Sequence, residues 1–229
     1  MPEHVEDVPE LASLGFLAFT TTRALGSFGL AGQEPAGAVV RRWEQMAALL
    51  EAAGIARLAT ASQVHGSRVV VHGSGWQGWL RVREADGHAC GAATATAAAV
   101  TIADCVPVFL AHPSGAMALL HSGWRGTEAR IVDVGIDALV QLGCRTSDLT
   151  VHLGPAICGP CYEVSPEVYR RLTGTSVDRP TPVDLRSLIA QHASDRGVRR
   201  VSISERCTRC DRGRFFSHRA GDAGRQISV

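Results

Sequence analysis

Two residues that can do chemistry, Cys105 in "ADCVPV" and His121 in "HSGWRG", flank the turn His112-Pro113-Ser114-Gly115. Two apolar strands folding back on that turn bring a thiol and an imidazole close together. Centring the turn between Pro113 and Ser114 sets Cys105 opposite Ser122 and His121 opposite Val106. That one-residue offset sends the two side chains to opposite faces unless a bulge or the end of pairing, beside Asp104 and Gly123, turns them together. A thiolate beside an imidazole opens two chemistries: the nucleophile and base of a cysteine hydrolase, or two ligands of a metal. A third donor is available in His65 of "QVHGSR", between an apolar strand and a glycine. Two imidazoles and a thiolate suit zinc, with copper possible but less favoured, and three protein ligands leave a fourth position for water.

Three other motifs carry less. Gly73-Ser-Gly75-Trp-Gln-Gly78 has dinucleotide-loop spacing, but "WLRVREAD" after it alternates like a strand where the motif needs a helix. Cys158-Gly-Pro-Cys161 matches a thiol-disulfide redox centre, yet the next helix is expected only at Ser165-Pro166, away from the thiols it would activate. Cys207-Thr-Arg-Cys210 adds two thiols, but 45 residues separate Cys161 from Cys207, beyond ribbon-type zinc spacing, so these four are expected to be incidental.

The elements that must position the three donors alternate. "GFLAFTTTR" reads as a strand ending at Arg23, and "AVVRRWEQMAALLEAAG" as a helix with Val39, Trp43, Met46, Ala47 and Leu50 on one face, stopping at Gly54. "ARLATASQVHGSRVVVHG" and "WLRVREADG" read as extended, followed by the hairpin. A helix over 127–142 buries Val132, Ile136 and Leu139; "LTVHLGPAI" is a strand, Ser165-Pro166 and Asp184 each start a helix, and "VRRVSIS" is a strand. This order predicts an α/β fold of the α+β type, with mixed β-sheet layers flanked by helices in a single domain over 1–229.

Composition narrows the function class. The 23 basic and 22 acidic residues are interspersed, which gives no footprint for nucleic acid or an anionic membrane and favours small-molecule partners. The acidic start "MPEHVEDVPEL" is not expected to be a signal peptide, and the uncharged stretch Cys90 to Ala103 is too short to span a bilayer. Seven cysteines at irregular spacing point to reduced thiols, so a cytoplasmic location is expected. The oligomeric state is not fixed by any of these features.

"QVHG", "ADCVPV", "HSGWRG", "GPAICGPCYEV" and the terminal "FFSHR" with "GRQ" follow one another as in the YfiH-like family, and the chain resembles that family over about residues 15 to 229. The family carries an old laccase-domain or polyphenol-oxidase label; its members are known as purine nucleoside phosphorylases with adenosine deaminase activity, and some as peptidoglycan-editing factors. The resemblance implies zinc ligands at His65, Cys105 and His121, and a purine nucleoside and phosphate as partners. It also places Cys161 in a glycine-proline strand end that needs no redox pair. A blue multicopper centre is not expected, because none of the nine histidines lies two residues from another.

Arg125, ahead of a helix start near Thr127, is the phosphate candidate, unless it pairs with Asp86, Asp104 or a surface carboxylate. Asp104 is expected to orient a ligand histidine or to close a turn. Arg23, Asp86, Glu163 and Arg219 are the substrate-binding candidates. Departures from the family pattern, at "ALGSFGLAGQ" and at His218 and Ala220, fall where the substrate pocket is expected.

Overall fold

The computed structural model describes residues 4–229; the first three residues of the acidic start lie outside them. The fold is mixed α/β, built around a six-stranded sheet in the order Arg200–Ile203, Thr150–Leu153, Val106–Ala111, Met117–Ser122, Gly87–Cys90, Val69–His72. The two outermost pairings are parallel and the three inner ones antiparallel. A four-stranded antiparallel sheet runs Val5–Asp7, Phe19–Thr21, Gln226–Ser228, Val100–Ile102. A three-stranded parallel sheet runs Gly78–Val82, Arg57–Ala61, Thr96–Ala98.

The central hairpin is wholly apolar along Val106–Ala111 because both faces are covered. On one side it shares a core with Ile131–Gln141 and Leu185–Asp195 through Leu120, Ile136, Leu139 and Ile189. Phe109 and Leu119 point the other way, to Val100, Ile102 and Leu11. The helix Ala36–Ala52 buries Val39, Trp43, Met46 and Leu50 as its spacing predicts, and the chain turns away at Gly54 with φ of 84°. Ser165 caps Pro166–Thr173 and Asp184 caps Leu185–Asp195, both as read from sequence.

Three expectations need correction. The hairpin pairs Ser122 with Val106 and His121 with Pro107, one residue from the expected register. Its loop has three residues, Pro113 to Gly115, and Gly115 takes the left-handed conformation (φ 91°) that such loops use, so the turn is centred on Ser114. The helix expected over 127–142 is two: Trp124–Glu128, then Ile131–Gln141, broken where Arg130 adopts φ 52°. The strand expected to reach Arg23 ends at Thr21, and Arg23 begins a single 3₁₀ turn capped by Thr22. No helix follows Gly73–Gly78; the strand Gly78–Val82 does.

Candidate metal centre

The corrected register brings Cys105 and His121 to one face. With pairs displaced by one, Cys105 stands opposite Gly123, just past the last pair, and His121 lies two residues from Gly123 on that same face. Asp104, at φ 83°, ends the regular backbone before Cys105. Gly123 leaves the needed room: a Cβ there would lie 2.9 Å from the Cys105 sulfur and 3.3 Å from the His65 ring.

His65 arrives on the loop between Arg57–Ala61 and Val69–His72 and is itself left-handed, with φ 60°. One carboxylate sustains that conformation. Asp86, 0% exposed, accepts from the backbone amides of Val64 (3.2 Å), His65 (2.9 Å) and Gly66 (2.7 Å) and from His121 Nδ1 (3.0 Å). An ionised carboxylate only accepts, so Nδ1 of His121 carries its proton toward Asp86 and Nε2 is left as the donor to a metal. Burial pushes the Asp86 carboxyl up, but the His121 hydrogen bond and the Gly66 amide outweigh it and hold the group ionised.

Donor atoms of His65, Cys105 and His121 all lie within 4.8 Å of one another, and the two imidazole rings meet edge to face at 4.8 Å. In the metal-free protein, burial raises the Cys105 thiol, but the charge of His121 and hydrogen bonds from both histidines bring it down to about 6. Burial lowers His121, while the Cys105 thiolate and Asp86 carry it up to about 9. The pair is therefore a thiolate and an imidazolium near neutral pH, and a cation that replaces the proton finds its anionic ligand already formed.

The three donors line a cavity of about 510 Å³, within the range of small-ligand sites. Its other walls include Phe28, Leu30, Gln63, Arg81, His218 and Arg225. The two segments that depart from the family pattern therefore do reach this cavity. Arg81, Gln63 and Arg225 were missed; they stand on separate strands and loops, and no local spacing marks them.

The remaining candidates do not line this cavity. Arg23 bonds Asp222 (2.7 Å) and the Phe215 carbonyl (3.1 Å) and stacks on Phe216, tying the early strand to the C-terminal segment. Asp104 does not touch a ligand histidine: it accepts from the Thr208 hydroxyl (2.6 Å) and the Arg219 amide (2.6 Å), and the histidine-orienting place is taken by Asp86. Asp86 is fully enclosed and holds the backbone of residues 64–66 and the His121 ring. Glu163 is exposed and gives its carbonyl to Arg219, whose guanidinium lies over Tyr162 at 4.9 Å.

Arg125 is exposed and stacks on Trp124 at 4.4 Å; among the described residues it forms no ion pair with Asp86, Asp104 or another carboxylate. The neighbouring Arg171, over the same ring, is neutralised by Glu128. The Tyr162 phenol is raised to about 12, first by burial and then by the charge of Cys105, against the opposing charges of Arg219 and Arg125.

One more expectation fails. Cys158, Cys161, Cys207 and Cys210 converge, with all four sulfurs within 4.8 Å of one another. The long separation in sequence is cancelled because Thr150–Leu153 and Arg200–Ile203 run parallel as neighbours and release both cysteine pairs at the same sheet end.

The sequence model of the family described as "Multi-copper polyphenol oxidoreductase laccase" matches residues 25–229. A protein of Mycobacterium tuberculosis named purine nucleoside phosphorylase Rv2149c is 34% identical over 231 residues, covering 92% of this chain and 89% of its own. Adenosine deaminase RL5, from an unknown prokaryotic organism, is 33% identical over 134 residues, 52% of this chain and 51% of its own. The crystal structure of the Bacillus licheniformis hypothetical protein YfiH superposes with a TM-score of 0.88 at 23% identity, over 99% of this chain and 95% of that one. The chain belongs to the laccase-domain, YfiH-like family.

Proposed function

We propose that this chain is a cytoplasmic purine nucleoside phosphorylase that also deaminates adenosine, working at a zinc ion held by His65, Cys105 and His121. The observation that carries the reading is the convergence of these three donors on a wall of the cavity of about 510 Å³. The names of the relatives give the reaction class. The donor set fits zinc, because two imidazoles and a thiolate within tetrahedral reach leave one position open. When bound, zinc would supply a Lewis acid able to activate water.

The chain's own residues would divide the work. Phe28, Leu30 and Gln63 would enclose the nucleoside, while Asp86 fixes the His121 ring and the backbone of His65 and so holds both ligands in place at the cavity wall. Arg125, exposed four residues after His121 and without an ion pair to a carboxylate among the described residues, would supply the cation for the phosphate. In phosphorolysis a phosphate oxygen bonds to C1′ as the bond from C1′ to the purine nitrogen breaks, the purine leaving with that electron pair. In deamination a water oxygen adds at C6 and ammonia departs. The five-residue helix Trp124–Glu128 is short for an anion site of its own, so the phosphate reading rests on the Arg125 guanidinium.

The test is chromatography of adenosine incubations with and without phosphate. Cleavage should require phosphate and give ribose 1-phosphate, deamination should not require it, and Arg125→Ala should depress cleavage by about tenfold to a hundredfold while sparing deamination. Free ribose formed equally without phosphate would overturn the phosphorylase reading.

The pairing of a Cys105 thiolate with a His121 imidazolium favours a second reading, a cysteine hydrolase or peptidoglycan-precursor editing enzyme with Cys105 as nucleophile. Alkylation separates the two. A zinc thiolate resists iodoacetamide until chelator is added, whereas a free nucleophile labels at the same rate with and without it.

A further inference from the structure

We propose that Cys158, Cys161, Cys207 and Cys210 hold a structural zinc ion through four thiolates, at a site separate from His65, Cys105 and His121. Tetrahedral zinc with Zn–S near 2.3 Å sets its sulfurs about 3.8 Å apart. The cluster fits that spacing: all four sulfurs lie within 4.8 Å, and those of Cys161 and Cys210 are 3.5 Å apart. All four are free thiols.

The backbone around them is built to support thiolates. Amides of Cys158 and Cys210 both donate to the Cys207 sulfur, at 3.3 and 3.4 Å, and charge on that sulfur strengthens both bonds. Each pair is closed by its own tight turn: the Cys161 amide bonds the Cys158 carbonyl at 3.0 Å, and the Asp211 amide bonds the Cys207 carbonyl at 2.9 Å. The pairs are joined where Ala156 bridges Cys207 and the Thr208 amide reaches the Ala156 carbonyl at 3.1 Å. Two Cys-x-x-Cys turns facing each other across one backbone bridge make a closed four-sulfur shell, which leaves no position for substrate and marks a structural role.

Its place in the fold gives that role content. Thr208, next to Cys207, donates to Asp104, which precedes Cys105; Tyr162, next to Cys161, carries Arg219 on its ring. A metal locking the four sulfurs would therefore fix two segments that lean on the cysteine of the first site.

The experiment is elemental analysis of protein purified under reducing conditions, joined to iodoacetamide labelling and peptide mass mapping with and without chelator. We expect two zinc ions per chain in the wild type, and one in both Cys105→Ala and the double variant Cys161→Ser/Cys210→Ser. We expect the four thiols to label at least tenfold faster once metal is removed. Should the double variant fail to fold, the labelling pattern of the wild type decides. Four thiols that label equally fast with and without chelator would overturn the proposal. Protection of these four with free labelling of Cys105 would uphold it and remove the first site.

Discussion

At the scale of single residues, the first site depends on an atom that is missing. Gly123 has φ −84° and ψ −173°, a backbone that alanine adopts without strain, so its substitution tests space alone. A methyl group 2.9 Å from the Cys105 sulfur must displace the thiol or the His65 ring. We expect Gly123→Ala to fold normally and to bind zinc on the order of tenfold to a hundredfold more weakly, as misdirected ligands do, measured by competition with a chromophoric chelator. Unchanged affinity would mean that the three donors are not held at this spacing by Gly123. The types of these residues are legible in the sequence: a Cys, a His and a second His beside glycines already define a donor set. Their relative aim is not, because it depends on whether the hairpin loop has two or three residues, and one left-handed glycine, Gly115, decides that. Asp86 takes the histidine-orienting place expected of Asp104 for a similar reason. A carboxylate's partners come from segments far apart in sequence, and nothing near Asp104 announces Thr208.

At the scale of elements, the strands Val69–His72 and Gly87–Cys90 carry a buried histidine pair outside both cysteine sites, with His72 Nε2 and His88 Nδ1 2.9 Å apart. Burial drives both pKa values down, His88 from 6.5 to about 3, and each histidine is held neutral. A folded-state pKa below the unfolded one means that the unfolded chain binds more protons between the two values. Stability is then complete above about pH 6.5 and falls as the pH drops toward 3. We expect His88→Gln to flatten this acid limb by up to about 1.4 kcal/mol per pH unit, read from urea unfolding at pH 7 and pH 5. Parallel limbs in variant and wild type would show that His88 titrates normally. Elements with a local signature were legible: the helix Ala36–Ala52 by its apolar spacing, and the two helices capped by Ser165 and Asp184. The break at Arg130 was not. Thr127 to Leu142 keeps helical periodicity across it, and the left-handed Arg130 answers to the packing of two short helices rather than to any local residue preference.

At the scale of the whole molecule, the two ends of the chain close on each other and on the cavity. Gln226–Ser228 lies between Phe19–Thr21 and Val100–Ile102, while His218 and Arg225 of the same terminal segment line the cavity wall. Neither pairing has a short-range signal, which is why the terminal strand could not be read from the sequence although the segment's likeness to the family was visible. One fully buried side chain holds the closure. Gln226 Oε1 accepts from the Phe216 amide at 2.7 Å, and its Nε2 donates to the Phe216 carbonyl at 3.1 Å, so a single amide group satisfies both backbone groups of a buried residue. Phe216 in turn carries the Arg23 guanidinium 4.4 Å from its ring. Removing the Gln226 amide leaves two buried backbone groups unpaired, each at about 1 to 3 kcal/mol. Gln226→Ala should therefore lose roughly 2 to 5 kcal/mol in urea unfolding. Gln226→Glu, which keeps the acceptor and loses the donor once ionised, should lose less at a pH low enough to protonate it. The same loosening should reach the cavity wall while sparing the ligands, so zinc content should hold while nucleoside affinity falls. Loss of zinc in step with stability would mean instead that the terminal closure and the metal centre unfold as one unit.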